Sequence, residues 1–269
     1  MFAVLCRVLW RPEAATFPVV LRVTVIELPA RWGDPQSALA MVEAELDRGP
    51  DTDLVLLPEA SLTGYVSRHG DFDLTPFAEA EAGPTARAIA DLARRRGVNL
   101  IAPLVICERE TGGDGENGGG RRCSNAMVAF DRRGEPLFTY RKRHPWIPET
   151  WATAGPEAAP VIDIEGLRVT IAVCYDLHFL EEDAADALAR ADVLLFPSAW
   201  VESPDSRPAL LVDLAMRYRV AVVNANWAPG VVRVPGQGRS LIISARGDIL
   251  ARVGPRARRA DAVLDPSPG

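Results

Sequence analysis

The sequence is poor in the side chains that bind metal ions. It has 269 residues with three histidines and four cysteines, Cys6, Cys107, Cys123 and Cys174, and no two of these form a Cys-x-x-Cys pair. A structural zinc site takes four such ligands, usually with some of them closely spaced in sequence. The sequence therefore predicts no metal site, and no motif in it predicts another cofactor.

A surplus of positive charge is also missing. The formal net charge is −6, whereas nucleic-acid-binding proteins usually carry a basic face or stripe. The basic runs at residues 94–96 and 256–259 are short. The first of them has the position of a last helical turn, where cations favour the helix dipole. We therefore expect no nucleic-acid partner.

No apolar run is long enough for a membrane span, which needs about 20 residues. The first residues, MFAVL, have no basic stretch before them, and Arg7 soon interrupts the apolar run. A secretory signal peptide has a different pattern. We therefore expect no membrane partner and a cytoplasmic protein in which the thiols stay reduced.

What the sequence does have is the composition of a soluble globular protein, with 48% hydrophobic and 25% charged residues. Chains of this length often fold as one α/β domain. Trp10, Pro12 and Pro18 stand near the amino terminus, and an alternating strand pattern begins only at Leu21. We predict an amino-terminal extension of unclear role at residues 1–20 and a single domain at residues 21–269.

Strand patterns alternate with helical patterns along the chain. One helix is predicted to begin at Asp34-Pro35 and to end at Gly49, and another covers 84–96. The remaining elements are strands at 21–26, 54–57, 100–106, 126–130, 137–140, 169–173, 193–196 and 220–223, helices at 183–190 and 208–218, a glycine-rich surface loop at 111–120 and a closing hairpin at 246–248. The fold class is α/β, and its two halves share a loose strand and helix rhythm without a convincing repeat.

Three apolar strands each deliver a reactive side chain at their carboxyl end. These side chains are Glu59, Lys142 and Cys174. The carboxyl ends of strands are where α/β proteins usually place their ligands. A carboxylate that takes a proton, an ammonium that stabilises an oxyanion and a thiol that attacks form a usable set for acyl transfer. Taken singly, each of these residue types is more often a small buried thiol or a solvated charge.

The sequence around these residues resembles the carbon–nitrogen hydrolase (nitrilase) superfamily, with three motifs in the family's order. DLVLLPE at 53–59 with LTGY at 62–65 resembles its glutamate motif, YRKRH at 140–144 its lysine motif, and IAVCYDLHFLE at 171–181 its cysteine motif. Supporting segments stand at 124–125, 130–134 and 238–250. The resemblance covers residues 21 to 252, and three motifs in order make coincidence a poor explanation.

The resemblance implies a four-layer αββα sandwich of two mixed sheets that face each other, with helices outside. It also implies a role for each reactive side chain. Glu59 is expected to be the general base, Lys142 to stabilise the tetrahedral oxyanion, and Cys174 to form a thioester with the acyl carbon of the substrate. The backbone N–H of Tyr175 is the expected second oxyanion donor.

Other expected site residues are less firmly placed by the motifs. Members of the superfamily have a second glutamate shortly after the lysine, and Glu149 stands in about that place, with Glu157 as its rival. Aromatic residues in loops near the expected site could line an apolar pocket or simply pack, and these residues are Tyr65, Trp146, Trp200 and Trp227.

The motifs depart from the family pattern at positions that bear on the substrate. His178 stands where the family often has arginine, and Leu180 where it often has proline. An imidazole is a poorer clamp for a carboxylate than a guanidinium, which argues against a dicarboxylic monoamide. True nitrilases have Trp-Glu after the cysteine, whereas this chain has Tyr175-Asp176, so amide or carbamoyl substrates are favoured over nitriles. At Arg217 and Tyr218 relatives tend to have an acidic residue and an asparagine, so a rebuilt helix contact is expected there.

The predicted function is hydrolysis of a carbon–nitrogen bond in a small amide through a cysteine thioester, with release of ammonia or an amine and a carboxylic acid. Two alternatives remain open: an N-carbamoyl amine or amino-acid hydrolase that uses the same three residues, and a catalytically silent relative that serves as a binding or scaffold protein. The resemblance also implies a homodimer or a higher homo-oligomer, with helices at 181–190 and 208–218 as the candidate interface.

Overall fold

A computed structural model of the chain describes residues 20–109, 121–231 and 235–265. The extension predicted at residues 1–20 therefore lies, except for Val20, outside the described residues, as does the glycine-rich loop predicted at 111–120.

The described residues form strands and helices that alternate along the chain. The strands are β1 Leu21–Ile26, β2 Leu54–Leu56, β3 Asn99–Arg109, β4 Arg121–Phe130, β5 Pro136–Arg141, β6 Ile162–Ile164, β7 Leu167–Ile171, β8 Val193–Ser198, β9 Ala221–Asn226, β10 Gly230–Val231, β11 Pro235–Gly236, β12 Leu241–Ile243, β13 Ile249–Arg252 and β14 Arg259–Leu264. The α-helices are α1 Pro35–Arg48, α2 Pro84–Arg96, α3 Leu180–Asp183, α4 Ala185–Arg190 and α5 Arg207–Tyr218. Two 3₁₀ helices cover Thr75–Phe77 and Cys174–Phe179.

Two large sheets have six strands each, in the orders β14-β1-β2-β3-β4-β5 and β6-β7-β8-β9-β12-β13, and β10 pairs with β11 in a small ribbon. Read in these orders, both large sheets have the same succession of strand pairs: antiparallel, parallel, parallel, antiparallel and antiparallel. The loose rhythm of the two halves in the sequence is thus a repeated sheet topology.

The two sheets face each other across an apolar core. Alternate residues of each inner strand enter this core, such as Leu54 and Leu56 of β2 and Ile171 of β7. The intervening side chains of β2 pack on the opposite face, where Val55 joins Val42 of α1 and α2 residues in a second cluster. On the far side of the second sheet, α4 contacts β7 and α5 contacts β9 and β12. The predicted four-layer αββα sandwich is confirmed.

The ends of the long helices follow from local sequence. The carboxylate of Asp34 accepts the N–H of Ser37 at 3.0 Å, and Pro35 takes the first helical position, as predicted for α1. Helix α2 ends at Gly97, whose φ of 62° is left-handed and free of strain for glycine. The arginines at 94–96 lie in the last turn of α2, as predicted. Within the described ranges no helix is both long and apolar enough to cross a bilayer.

The structure differs from the sequence prediction mainly at the sheet edges. Strands β6 and β14 were not predicted, because each pairs with one neighbour at an edge and needs no continuous apolar run. Strands β3 and β4 extend further than predicted, to Arg109 and from Arg121. The helix predicted at 183–190 is two short helices, since the backbone at Ala184, with φ −134°, leaves the helical region.

Cys107 and Cys123 lie opposite each other in the antiparallel pair β3–β4 and form a disulfide. The expectation that all the thiols are reduced is therefore wrong for this pair. The two cysteines are 16 residues apart, and only the register of the two strands brings them together, so their spacing in the sequence gave no sign of the bond. Among the described cysteines, Cys174 is the free one.

The inner core makes the first testable prediction. Leu194 of β8 is fully buried between the layers, whereas Leu250 of β13 is 45% exposed. We expect Leu194→Ala to lower the free energy of unfolding by about 2–5 kcal/mol, because it leaves a cavity in a packed core. The same truncation at Leu250 should change it by less than about 0.5 kcal/mol. Urea denaturation followed by circular dichroism measures both, and equal losses would contradict the assignment of the core.

Candidate active site

The three predicted reactive side chains meet where strands of both sheets end. Glu59 follows β2 and Lys142 follows β5 in one sheet, and Cys174 follows β7 in the other. The ammonium of Lys142 lies 2.6 Å from Oε1 of Glu59. The backbone N–H of Ala199 donates to Oε2 of Glu59 at 3.0 Å, and Ala199 lines the same cleft as Cys174. The carboxylate and the thiol are therefore neighbours.

Lys142 is buried and carries its charge between two carboxylates. Its Nζ donates to Glu59, and to Oε1 and Oε2 of Glu149 at 3.1 and 3.0 Å. Burial lowers the pKa of this ammonium, but the negative charges of Glu59 and Glu149 outweigh burial and hold the pKa above its ordinary value. Lys142 is therefore a permanent cation at neutral pH.

Glu149 is the second glutamate of the cluster. Besides Lys142, its carboxylate accepts the hydroxyl of Tyr65 at 3.0 Å and the backbone N–H of Trp146 at 2.9 Å. Burial raises the pKa of Glu149, and the charge of Lys142 opposes that rise. Its rival Glu157 is exposed to solvent. The structure therefore places Glu149, and not Glu157, against the lysine.

Asn125 of β4 joins the two carboxylates. Its side-chain amide donates to Oε1 of Glu59 at 2.8 Å and to Oε1 of Glu149 at 3.1 Å. The family resemblance includes the segment at 124–125 but implies no role for the asparagine. The signal in the sequence was a polar residue in an otherwise apolar strand, and its meaning depends on β4 lying beside β5.

A strained turn presents Cys174. Its φ of 47° lies in the left-handed region, which residues other than glycine adopt at a cost of about 1–3 kcal/mol. The buried carboxylate of Asp176 holds this turn, because it accepts the N–H groups of Val173 at 3.0 Å and His144 at 2.9 Å and the hydroxyl of Tyr140 at 2.9 Å. The lysine segment and the cysteine turn are thereby fixed to each other.

The environment of Cys174 favours the neutral thiol at rest. Cys174 is buried, with 8% of its surface exposed to solvent. Burial and the negative charge of Glu59 raise the pKa of the thiol, while Lys142 and the Ala199 N–H act in the opposite direction. The net effect is a pKa well above the ordinary value. A reaction that needs the thiolate must therefore remove the proton within the site.

A cleft of about 240 Å³ opens over Cys174. Its lining consists of Tyr65, Trp146, Cys174, Tyr175, His178, Ala199, Trp200, Val201 and Glu202. All five residues predicted at the substrate or oxyanion position lie in this lining. Trp227 instead lies behind Tyr65, with ring centroids 5.9 Å apart, and is buried. Ala199, Val201 and Glu202 were missed, because their loop carries no motif.

The departures from the family pattern at His178 and Arg217 are visible in the contacts of these side chains. The ring of His178 is exposed and stacks on Trp200, with centroids 5.8 Å apart. Arg217 of α5 forms ion pairs with Glu181 of α3 and, at 2.7 Å, with Asp213. The helix contact expected near residues 217 and 218 is therefore made by an arginine and two carboxylates.

The buried cation makes the second prediction. Lys142→Met leaves two buried carboxylates unpaired, so we expect the free energy of unfolding at pH 7 to fall by about 3–5 kcal/mol. Without the cation, burial holds the pKa of Glu149 above that of the unfolded chain. Stability is then present at low pH and lost as pH rises, so the deficit should be smaller at pH 5.

The matched control is the neighbouring Arg141, whose carboxylate partners Glu81 and Glu108 are about half exposed. Arg141→Met should lower the free energy of unfolding by no more than about 1 kcal/mol. Urea unfolding at pH 5 and pH 7 measures all three proteins. Equal, pH-independent losses for the two variants would contradict the charge cluster described here.

Among the described residues, no group of three or more histidine, cysteine, aspartate or glutamate side chains could hold a metal ion. What the cluster contains is a cation between two carboxylates, next to a thiol at the floor of a cleft. Such a set can remove a proton, stabilise a negative oxygen and form a covalent bond with an electrophilic carbon.

Comparison with known proteins agrees with this chemistry. A hydrolase in the pqqF 5′ region of Pseudomonas protegens is 28% identical over 241 residues, which is 87% of this chain and 79% of that protein. An (R)-stereoselective amidase of Pseudomonas sp. is 25% identical over 87% of this chain and 81% of its own.

The fold recurs in a solved amidase from Nesterenkonia sp. AN1, a mutant with the acetamide moiety of fluoroacetamide added covalently at its active-site cysteine. It superposes with a TM-score of 0.75 at 22% identity and covers 96% of this chain and 94% of that one. Residues 22–263 match the carbon–nitrogen hydrolase family. The chain thus belongs to the carbon–nitrogen hydrolase family, as an amidohydrolase that acts on carbon–nitrogen bonds.

Proposed function

We propose that the protein hydrolyses a small amide through a thioester on Cys174, with Glu59, Lys142 and Glu149 as its partners. The observation that carries this proposal is the buried cation between two carboxylates directly beside the thiol. It explains how one site can supply a base and an oxyanion partner without a metal ion.

The first half of the reaction forms the acyl-enzyme. Glu59 takes the thiol proton of Cys174 while sulfur bonds to the amide carbon, and Lys142 together with the N–H of Tyr175 stabilises the oxyanion. Tyr175 lies in the first turn of the 3₁₀ helix, where N–H groups lack partners within the helix. The carbon–nitrogen bond then breaks, and the leaving ammonia or amine carries away the proton held by Glu59.

Water completes the reaction. Glu59 takes a proton from water as its oxygen bonds to the acyl carbon, and a second oxyanion forms. The carbon–sulfur bond breaks, the carboxylic acid leaves, and the proton on Glu59 returns to sulfur. The raised pKa of Cys174 fits this cycle, since the thiol is the resting form and the carboxylate removes its proton only when substrate is present.

Glu149 has a positioning role in this proposal. It contacts Lys142, Tyr65 and the backbone of Trp146, so it fixes the cation and two walls of the cleft at once. Its negative charge also balances Lys142 during the steps in which Glu59 is protonated and neutral. Without Glu149 the buried lysine would then lack a counter-charge.

The known relatives support amide chemistry. The relative from Pseudomonas sp. is an (R)-stereoselective amidase. In the Nesterenkonia amidase an acetamide moiety is bonded to the active-site cysteine. Both observations fit a cysteine that forms a covalent bond with the substrate carbon of an amide.

The second candidate, an N-carbamoyl amino-acid hydrolase, would hold a substrate carboxylate with a cationic side chain. Within the described part of the chain, the lining of the cleft includes no lysine or arginine, so an amide is the preferred substrate. Product analysis separates the two, because only a carbamoyl substrate releases carbon dioxide. A catalytically silent relative is disfavoured by the complete set of reactive side chains.

The nucleophile makes the third prediction. We expect Cys174→Ser and Cys174→Ala to reduce turnover in a screen of small amides by about 10³-fold or more, because a serine hydroxyl lacks thiolate character. Fluoroacetamide should add one acetamide moiety to Cys174 of the wild-type protein, seen by peptide mass spectrometry, and none to Cys174→Ala. Retained circular dichroism shows that the fold is intact. Turnover by a folded Cys174→Ala protein would contradict the assignment.

We also propose a cytoplasmic location, the compartment in which the free thiol of Cys174 stays reduced. The disulfide between Cys107 and Cys123 is the feature that opposes it, because cytosolic proteins rarely keep disulfides. Rapid alkylation of thiols in intact cells, followed by mass spectrometry, measures whether Cys107 and Cys123 form this disulfide in the cell.

We propose a homodimer that uses helix α5. Leu211, Leu214 and Ala215 of this helix face the core, whereas Leu210 and Met216 are 42% and 51% exposed. The outer face thus keeps two large apolar side chains for a partner.

This assembly makes the fourth prediction. Leu210→Glu combined with Met216→Glu should convert the dimer to the 29.1 kDa monomer in size-exclusion chromatography with light scattering, because four charges would enter the two-fold interface. The matched control is Ile147→Glu, which adds charge at a side chain that is 81% exposed outside α5. A wild-type monomer would contradict the assembly, and a dimer that survives the double change would contradict this interface.

A further inference from the structure

The mouth of the cleft has a charge that the proposed reaction does not use. Glu202 lies in the lining, three residues after Ala199, which donates a hydrogen bond to Glu59 and lines the same cleft as Cys174. Three residues span at most about 10 Å. A substrate held at Cys174 therefore needs only a short chain to reach this carboxylate.

The carboxylate of Glu202 is fixed in place. Trp200 Nε1 donates to its Oε2 at 3.3 Å, and the hydroxyl of Ser206 donates to the same oxygen. The hydrogen bond from Ser206 is the main reason why the pKa of Glu202 is below its ordinary value, so the group is ionised at neutral pH. Both of these side-chain donors bond to the same oxygen, Oε2.

The other walls of the cleft are aromatic. Trp200, Trp146, Tyr65 and Tyr175 line the same cleft as Glu202. Aromatic faces attract cations through the ring quadrupole. A carboxylate among aromatic rings is a set that suits an organic ammonium group.

The charges around the cleft also favour a cationic ligand. Among the described residues, the lining has no lysine or arginine, and the buried cluster beneath it has two carboxylates for the single cation Lys142. The next buried cation, Arg207, is paired with Asp205 at 3.1 Å rather than with Glu202. An anionic substrate would meet negative charge both at the mouth and at the floor.

From these contacts we propose that the enzyme prefers amides whose acyl chain ends in an ammonium group, which Glu202 and the aromatic rings bind at the mouth of the cleft. This inference rests on the proposed amidase function and names its substrate class. The size of the cleft, whose lining contains both Cys174 and Glu202, selects an ammonium a few bonds from the amide carbon.

Three amides of similar length test the preference. They are δ-aminovaleramide, which is cationic, hexanamide, which has a methyl group in place of the ammonium, and glutaramate, which is anionic. We expect kcat/KM to decrease in that order. Raising the salt concentration should reduce the advantage of the cationic amide over hexanamide, since the carboxylate is exposed.

Glu202→Gln is the decisive variant. It should lower the ratio of kcat/KM for δ-aminovaleramide to that for hexanamide by about two- to fivefold, the effect of losing one exposed ion pair. Glu202→Lys should invert the preference in favour of glutaramate. The matched control Glu157→Gln makes the same charge change at an exposed residue outside the cleft lining and should leave the ratio unchanged.

The outcomes separate this inference from the proposed function. If hexanamide is hydrolysed through Cys174 but the ratio is the same in wild type and Glu202→Gln, the substrate class is overturned and the amidase function stands. If none of the three amides is hydrolysed and none acylates Cys174, both are overturned. A ratio that falls equally in Glu157→Gln would show that net charge alone is responsible, and this too overturns the role of Glu202.

Discussion

The burial of one ammonium is the interaction on which the site depends. An unpaired charge in a protein interior is very unfavourable. Lys142 is stable there because two carboxylates surround it, and these carboxylates in turn need their own donors. Asn125 satisfies both of them, Ala199 donates to Glu59, and Tyr65 and the backbone of Trp146 donate to Glu149. Removing any of these groups leaves a buried charge with fewer partners.

The same network explains why the site needs two sheets. Its carboxylates, amide and ammonium come from the first sheet and the segments that follow it, whereas the thiol and Ala199 come from the second. The repeated topology places the carboxyl ends of β2 and β5 beside those of β7 and β8. The apolar core between the sheets fixes their separation, since packed side chains cannot shift without loss of contact. Packing thereby sets the distance between base and nucleophile.

The sequence predicted the inner strands, the long helices and the strand-end positions of Glu59, Lys142 and Cys174. These positions follow from local patterns, because an apolar run that ends in a charged or nucleophilic residue is visible in one segment. Features that depend on distant segments could not be predicted. The Cys107–Cys123 bond requires the β3–β4 register, and the role of Asn125 requires β4 beside β5. Edge strand β14 pairs with β1 from the other end of the chain.

The loop that lines the cleft could not be predicted either, because its position depends on distant segments. A buried polar cluster explains that position. The loop from Ala199 to Arg207 is held at its start by Glu59. At its end the fully buried guanidinium of Arg207 donates to the side chain of Asn224 and, at 3.0 Å, to the carbonyl of Gly238.

Glu27, which follows β1, lies near the guanidinium of Arg207. Its carboxylate accepts the N–H of Ser240 at 2.7 Å, and burial raises its pKa to about 7 although the charge of Arg207 opposes the rise. The loop that carries Trp200, Val201 and Glu202 is thus held at both ends by buried polar clusters. The reactive residues form the first cluster, and the residues around Arg207 and Glu27 form the second. Its residues can therefore differ in chemistry while the backbone stays in place, so substrate preference can change in this loop without disturbing the charges that perform the reaction.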